Sequence, residues 1–427
     1  MNAEVSEFRL RVPLDRLPPD RRGQLKYAAA FAAENVRDVA LDGDDLLIVC
    51  EPPADERELR SRIERLIDRY AGGEFGFREH VLFRNRGPMP YADDIVAELV
   101  RRRALRELGP GLWLFREPVS RLLRFFDDAF VERVARPFGA TEEAYPAVIS
   151  ASSLGRTQHF TSFPEHVHFV THLRADLDVI EAFAETVRRA GDWDGVPETE
   201  RFGENRALAT PALAMNPSVC YHCYEGLQNE TIPGEGVAVT AVAKCHRYES
   251  LNHRDFGRLL DFTMREVVFV GKPEFVRENR LKAVEYLKQL MIDWELDGAI
   301  ENANDPFFTN DFQVKASFQR HQEMKYELRL TVPHLGKTIA CSSVNFHGST
   351  FGTAFAIRAG KRPATTACVG FGLERWALAF LAQFGPDEDG WPTGFREEYD
   401  RWRARRQEPP VGGMTAGDRT ADRVTPK

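Results

Sequence analysis

The chain has 427 residues, 43% of them hydrophobic and 29% charged, which is the composition of a globular protein with two or three domains. Its net charge is −8, so it carries no overall basic field of the kind that attracts nucleic acids. The N-terminus is charged, and we find no apolar run long enough for a signal peptide or a membrane span. We therefore expect a cytoplasmic protein with no membrane partner.

Residues 1–87 have the pattern of a small accessory α/β domain. Apolar and charged residues alternate over 8–12, two short apolar runs flank the turn at 42–44, and helical periodicity covers 59–70. A further strand at 81–83 would complete the order βαββαβ, which predicts a ferredoxin-like sandwich. The first 90 residues hold 15 Lys and Arg against 17 Asp and Glu, a net charge of −2. This balance favours a protein-contact or stabilising role over nucleic-acid binding.

A larger second domain is expected over residues 91–403. It includes an amphipathic helix at 118–136, followed by a short proline-containing strand at 144–149. Further apolar runs predict strands at 237–243, 325–332, 338–345 and 364–371. Helical periodicity covers 272–295. Residues 404–427 are rich in Arg, Pro, Gly, Thr and Asp without periodicity, which predicts a disordered tail.

The first segment with a chemical signature contains Arg247 and Glu249. On a strand these side chains would share a face, where the cation clamps an α-phosphate and the carboxylate accepts from the adenine amino group. A solvated cross-strand ion pair is the alternative interpretation of such a pair. The polar loop that follows carries Arg254 and Arg258, which would reach the outer phosphates. Phe262 comes next and would stack on adenine.

The second such segment lies at 368–375. Its apolar strand breaks at Gly370 and Gly372, where a backbone without side chains can approach a ligand closely. Arg375 falls in the first turn of the helix predicted over 373–384, where the helix dipole favours an acid. A cation at this position indicates an anionic ligand, and a surface pair with Glu374 is the alternative.

In order and chemistry, these two segments resemble motifs 2 and 3 of the class II aminoacyl-tRNA synthetases. The helix and proline-containing strand of 118–149 resemble motif 1, which forms the dimer interface in that family. Three further segments resemble the amino acid:[carrier protein] ligases, which are truncated relatives of the methanogenic-type seryl-tRNA synthetases: 160–165, 220–224 and 343–352. The resemblance covers residues 95–385. It implies an α+β fold, with a class II antiparallel sheet flanked by helices, and a homodimer.

The resemblance also implies roles for individual residues. Arg247 and Arg375 would be catalytic, and together with Glu249 and Phe262 they would bind ATP with Mg²⁺. Asn345 would bind the amino-acid substrate.

Six cysteines are too sparse for a disulfide framework, so we expect reduced thiols. Cys220, Glu266 and Cys368 are separated by 46 and 102 residues, and this spacing alone does not indicate a metal site. A buried cysteine usually serves as a small apolar residue. The related families, however, hold zinc with Cys, Glu and Cys in this order, so the resemblance implies zinc ligands at these three positions. In those families the substrate amino group fills the open position. Cys223 forms C-x-x-C with Cys220, which leaves a redox pair or an alternative ligand open.

Several other polar residues have weaker signatures. Arg265 or other cations are expected near the zinc ligands, to offset their charge. Glu327 is a candidate for the acid that binds Mg²⁺, with a solvated strand carboxylate as the alternative. His166, His168 and His172 would be solvated residues of a loop or strand, or a zinc site whose third partner the sequence does not identify.

The resemblance implies that the chain activates a small amino acid as its adenylate and transfers it to the phosphopantetheine thiol of a carrier protein. One alternative is a methanogenic-type seryl-tRNA synthetase, and another is an inactive paralogue that serves as a binding subunit. The carrier ligases usually lack a separate N-terminal domain, and in this respect the chain departs from them. The acidic balance of that domain makes tRNA the less favoured acceptor. The presence of Arg247, Glu249, Phe262 and Arg375 argues against inactivity.

Overall fold

The structure is a computed structural model that describes residues 7–71, 80–202, 207–303 and 325–407. The described residues contain two large hydrophobic cores, one in the N-terminal unit and one around the main sheet. Among these residues, no helix combines the length and the apolar character that a bilayer crossing needs.

The N-terminal unit is a three-stranded antiparallel sheet covered by two helices. The alternating pattern turns Leu10 and Val12 inward, and helix periodicity turns Ile63 and Ile67 onto them, so that all four are almost fully buried. The sheet order is β1-β3-β2. In chain order the elements are β1 (Phe8–Pro13), α1 (Arg22–Ala29), β2 (Val36–Asp42), β3 (Asp45–Cys50) and α2 (Glu56–Ala71).

The fourth strand of the predicted ferredoxin-like unit belongs to the other sheet. Val81–Asn85 is a strand, as predicted, but it pairs antiparallel with Gly298–Asn302. Leu82 and Phe83 pack against the core of the main sheet. The N-terminal unit is therefore βαββα, and its described part ends with α2. A short apolar run predicts a strand but does not say which sheet the strand will join.

The main sheet has eight strands in the order β4-β13-β14-β15-β18-β12-β11-β7. Its pairings are antiparallel except for the parallel contact of β7 with β11, and helices flank it, as expected for a class II synthetase-type fold. The elements from residue 80 onward, in chain order, are β4 (Val81–Asn85), α3 (Ile95–Arg101), β5 (Leu105–Gly109), β6 (Leu112–Phe115), α4 (Val119–Phe130), β7 (Thr141–Glu142), β8 (Val148–Ser150), α5 (Ala151–Arg156), α6 (His159–Ser162), β9 (Phe169–Val170), α7 (Leu177–Ala190), β10 (Leu213–Met215), α8 (Cys220–Gly226), β11 (Gly236–His246), β12 (Asp261–Gly271), α9 (Pro273–Asp293), β13 (Gly298–Asn302), β14 (Lys325–Val332), β15 (Lys337–Gly348), α10 (Thr350–Ala354), β16 (Arg358–Ala359), β17 (Arg362–Pro363), β18 (Thr365–Gly372), α11 (Leu373–Phe384) and α12 (Thr393–Arg406).

An aromatic cluster fixes helix α11 on the sheet. The ring of Phe130, at the end of α4, stacks on Phe371 with centroids 4.2 Å apart and meets the edge of Trp376 at 5.0 Å. The indole nitrogen of Trp376 donates to Ser342 Oγ at 2.9 Å. Such aromatic pairs are worth about 0.5–1.5 kcal/mol each beyond the area they bury. The first turn of α11, which carries Arg375, is therefore held at a defined place beside the sheet.

Helix α12 extends three residues into the segment predicted as a disordered tail. Trp402 is buried and donates from Nε1 to Asp128 at 2.6 Å, and Arg406 pairs with the same carboxylate at 2.6 Å. These anchors on α4 extend the helix to Arg406, although the local composition lacks periodicity. The rest of the predicted tail, residues 408–427, lies outside the described residues.

Candidate active site

The sheet brings the two segments with chemical signatures side by side. Strands β11 and β12 form an antiparallel hairpin from Gly236 opposite Gly271 to His246 opposite Asp261. Strand β18 pairs with the other edge of β12, and its continuation is α11. Residues far apart in the chain therefore share one face of three neighbouring strands.

Cys220, Glu266 and Cys368 meet on this face. In the β12–β18 register Glu266 is opposite Gly370, two residues from Cys368, so both side chains point the same way. Cys220 begins helix α8, which covers the same face. One potential ligand atom from each residue lies within 4.8 Å of the other two, and each residue is at most 3% exposed. Within the described ranges, this is the one group of three or more Cys, His, Asp or Glu with such geometry.

The electrostatics of the three residues fit a metal ion. Burial raises the pKa of Glu266, against the opposing charge of Arg247. The hydrogen bond with Cys220, followed by burial and the charge of Glu266, raises the pKa of the Cys368 thiol well above its usual range. A cation would reverse these penalties, because it favours the thiolate and carboxylate forms. Glu266 Oε2 is buried and has no hydrogen-bond partner in the described part of the chain. Two sulfurs and one carboxylate oxygen are a donor set typical of zinc with an open position.

Neighbouring polar groups hold these three side chains. Ser218 Oγ donates to Glu266 Oε1 at 3.0 Å and lies 3.5 Å from Cys220 Sγ. Asn345 is directly opposite Cys368 on β15 and donates from Nδ2 to its sulfur at 3.6 Å. The predicted substrate-binding residue is therefore adjacent to the Cys/Glu/Cys group.

Sequence reasoning gave no role to two residues beside this group. Ser218 is two positions before Cys220, and His347 is two positions after Asn345, with its Nε2 atom 3.9 Å from Cys368 Sγ. Each lies two positions from a predicted site residue, and this short spacing is the signal in the sequence that could have identified it.

One prediction about the surroundings of this group needs correction. The side chain of Arg265 does not lie beside Cys220, Glu266 and Cys368. Arg265 is adjacent to Glu266 on a strand, so its side chain points to the opposite face. There it donates to Asp127 at 2.7 and 2.9 Å and to Glu142 at 3.0 Å. The cation whose charge acts on Glu266 is Arg247.

Cys223 lies outside the Cys/Glu/Cys group, although it is only three residues from Cys220. It is buried in an apolar cluster beside Tyr145, and burial raises the pKa of its thiol. All six cysteines are buried and free of disulfide bonds. The geometry thus places Cys223 outside the three potential ligands.

The two predicted catalytic arginines are held by backbone carbonyl groups. Arg247 donates from Nε to the carbonyl of Pro217 at 3.1 Å, and its guanidinium carbon lies 5.3 Å from the ring centroid of Phe262. Arg375 donates to Gly257 at 2.8 Å and to Ala340 at 3.1 Å. Neither forms an ion pair with a described carboxylate, so both charges remain for an anionic ligand. Burial, followed by the charge of Arg258, lowers the pKa of Arg375.

The carboxylate of Glu374 does not form the alternative surface pair with Arg375. It is buried and accepts two hydrogen bonds from the Thr263 amide, at 2.8 and 2.9 Å, and one from its hydroxyl at 2.8 Å. Glu374 therefore ties the start of α11 to β12.

Glu249 lies beyond the strand on which it was expected. Strand β11 ends at His246, and Glu249 directly precedes a short 3-10 turn over Ser250–Arg254. Its buried carboxylate accepts from Arg258 Nη1 at 2.9 Å. Arg254 was expected to reach phosphates, but it donates to Asp38 of the N-terminal unit at 3.3 Å. The loop folds against that unit, and the sequence pattern of a polar loop does not reveal such a contact.

The remaining candidates are dispersed. Glu327 is half-buried and pairs with Arg329 at 2.8 Å and Lys325 at 3.2 Å, so it is not a solvated carboxylate. His166, His168 and His172 do not converge on a metal-like group within the described ranges. His166 is buried, which corrects its predicted solvation.

Comparison with known proteins finds relatives of two kinds. Amino acid–[acyl-carrier-protein] ligase 1 of Bradyrhizobium diazoefficiens is 31% identical over 278 residues, which are 63% of this chain and 81% of that protein. The type-2 serine–tRNA ligase of Methanococcus aeolicus is 27% identical over 297 residues, which are 68% of this chain and 56% of that protein. The chain thus spans little more than half the length of that tRNA ligase. No protein-family model matches the chain.

The solved structures with the same fold include seryl-tRNA synthetases. The M. kandleri enzyme, in complex with A. aeolicus tRNASec, has a TM-score of 0.66 and 21% identity, over 96% of this chain and 80% of that one. The Pyrococcus horikoshii enzyme, complexed with ATP, has a TM-score of 0.56 and 14% identity, over 81% of each chain. The chain therefore has the class II synthetase fold and belongs to the family of amino acid–[acyl-carrier-protein] ligases, which are related to the type-2 seryl-tRNA synthetases.

Proposed function

We propose that the chain activates a small amino acid with ATP and transfers the aminoacyl group to the phosphopantetheine thiol of a carrier protein. The observation that carries this proposal is the buried Cys/Glu/Cys group, with the charge of Arg247 acting on Glu266 and with Arg375 in the first turn of the helix that follows the strand of Cys368. The identity to a carrier-protein ligase over 81% of its length supports the same activity.

The Cys/Glu/Cys group would bind the amino acid through a metal. Cys220, Glu266 and Cys368 are the residues that would hold zinc, and bound zinc would take the neutral amino group of the substrate in its open position. Ser218 fixes the carboxylate of Glu266, and Asn345 donates to the sulfur of Cys368. Both contacts orient the ligand atoms toward a common centre. Asn345 is thereby also next to the substrate.

The arginines would bind the nucleotide and stabilise the transition state. The substrate carboxylate attacks the α-phosphorus of ATP, the bond to the β-phosphate oxygen breaks, and pyrophosphate leaves with Mg²⁺. Charge accumulates on the phosphate oxygens, where the preorganised guanidinium groups of Arg247 and Arg375 would offset it. Glu249 would accept from the adenine amino group, and Phe262 would provide an aromatic surface for the base. The acid that binds Mg²⁺ is not assigned, because Glu327 already pairs with two cations.

The acceptor is a carrier protein in this proposal. The N-terminal unit is slightly acidic, whereas a tRNA surface requires many phosphate contacts from Lys and Arg. A carrier needs only a small, transient interface. A second candidate is tRNA, which is favoured by the fold likeness to a seryl-tRNA synthetase over 96% of the chain. For either acceptor we expect a homodimer, with the segment that resembles motif 1 at its interface.

Replacing Arg375 with Ala should lower kcat for amino-acid-dependent ATP–pyrophosphate exchange by about 10²-fold or more, because the lost cation acts where transition-state charge develops. The same loss is expected for Arg247→Ala. Arg405→Ala, an exposed arginine on α12, is the matched control and should leave exchange unchanged. Near wild-type exchange in Arg375→Ala would show that this arginine does not serve the reaction.

Purified protein should contain about one zinc per chain, measured by elemental analysis, as expected for one site with three protein ligands. A Cys220→Ala, Cys368→Ala double variant should lose it, since two of the three ligands are gone. Cys223→Ala is the control and should keep its zinc. The ligand assignment would be wrong if the double variant retained zinc fully, or if Cys223→Ala lost it.

Incubation with ATP and a radiolabelled small amino acid should load a phosphopantetheinylated carrier protein and leave total tRNA uncharged. The readout is an aminoacyl thioester on the carrier, which hydroxylamine cleaves. A carrier with its attachment serine replaced by alanine is the control. Efficient charging of tRNA, with no thioester on the carrier, would favour the tRNA ligase instead.

A further inference from the structure

The N-terminal unit is packed on the hairpin loop, which we define as residues 247–260 between β11 and β12. The loop contributes Leu251 to the hydrophobic core of this unit, and Tyr248 meets the ring of Phe31 edge-on at 6.1 Å. Hydrogen bonds and ion pairs join the two: Ser250 Oγ to the Ala30 carbonyl at 2.9 Å, Asn252 Nδ2 to the Tyr27 carbonyl at 3.2 Å, Arg254 to the Arg37 carbonyl at 3.0 Å and Lys26 to Asp255 at 3.1 Å.

Tyr27 is a buried anchor of this contact, with an aromatic ring that faces the loop. It is 6% exposed, and the guanidinium carbon of Arg258 lies 4.7 Å from its ring centroid. Its hydroxyl is within hydrogen-bond distance of His166 Nε2, at 3.1 Å. The ion pairs of Lys26 and Arg254 are partly exposed and contribute little by comparison. Tyr27 therefore holds the loop more firmly than they do.

Two residues of the proposed nucleotide site depend on the loop. Arg258 pairs with the buried carboxylate of Glu249, which would otherwise be an uncompensated buried charge. The carbonyl of Gly257 accepts from Arg375 Nε at 2.8 Å. A side chain at Gly257 would be strained, because its φ is +69° and a Cβ there would lie 3.3 Å from Arg375 Cγ. The loop thus contains Glu249 and contacts Arg375.

We infer that the N-terminal unit supports the nucleotide-binding loop, and that Tyr27 is a positioning residue for adenylation. Its ring holds Arg258, Arg258 holds Glu249 ready for the adenine, and Gly257 holds Arg375 ready for the phosphate. This inference rests on the proposed function. It gives the N-terminal unit a role toward ATP in place of one toward nucleic acid.

The test compares three substitutions of Tyr27 by ATP–pyrophosphate exchange, each with zinc content and circular dichroism measured in parallel. Tyr27→Ala should raise KM for ATP about tenfold, the scale of a partly desolvated cation–π contact, with KM for the amino acid and zinc content unchanged. Tyr27→Leu keeps apolar bulk without a π face, so it should show the same rise even if the alanine variant does not fold. Tyr27→Phe keeps the ring and should remain near wild type.

Arg11→Ala is the control within the same unit, because it breaks surface ion pairs with Asp42 and Asp45 away from the loop. It should leave every parameter unchanged. Wild-type KM for ATP in a folded Tyr27→Leu variant would overturn the inference. So would an equal loss in Tyr27→Phe and Tyr27→Leu, which would assign the effect to the hydroxyl and not to the ring.

Failure of the proposed function is distinguishable from failure of this inference. If the wild-type protein shows no pyrophosphate exchange with any of the amino acids, the proposed function fails. The same variants are then compared by their affinity for ATP, measured by calorimetry, instead of by KM. Weaker ATP binding in Tyr27→Leu but not in Tyr27→Phe would still support the inference. Equal binding by all variants, or no ATP binding by the wild type, would overturn it.

Discussion

The rest of the site depends on one constraint: the two thiols and the carboxylate of the Cys/Glu/Cys group are buried with their ligand atoms within 4.8 Å of one another. These residues come from a helix and two strands. Their convergence requires the register of β12 with β18 and the packing of α8 against the sheet face that carries Glu266 and Cys368. Such a group opposes its own ionisation unless a cation stabilises it. We propose that this need is met by a metal with one open position, which makes the group suited to bind an amine.

The site has two ends, and the hairpin loop, which begins with Arg247, joins them. Arg247 donates to the carbonyl of Pro217, next to Ser218, which in turn holds Glu266. At the other end the hairpin loop links Arg375 to Glu249 and to the N-terminal unit. An amino acid bound at the Cys/Glu/Cys group and a nucleotide bound at Arg247 and Arg375 would therefore be held by one connected network of hydrogen bonds and side-chain contacts. Reaction between them gains from this arrangement, because both partners are oriented before charge moves.

Much of the fold and of the candidate site could be predicted from the sequence. Continuous apolar runs identified the central strands, and the order of the two arginine segments led to the class II fold. The side of the strand on which Arg265 points follows from simple alternation with Glu266, so the sequence does contain this information. Three other features could not be predicted from the local sequence. They are the sheet that β4 joins, the hydrogen bonds of Glu374 with Thr263 and the packing of the hairpin loop on Tyr27. They depend on long-range packing, which local periodicity does not encode.

The measurement that tests the central claim most directly is ATP–pyrophosphate exchange by the wild-type protein with each of the amino acids in turn. Formation of an aminoacyl-adenylate predicts exchange that requires a small amino acid, such as glycine, alanine or serine. It also predicts that a chelator which removes zinc will abolish this exchange. Absence of exchange with every amino acid, in protein that is folded and contains zinc, would contradict the account.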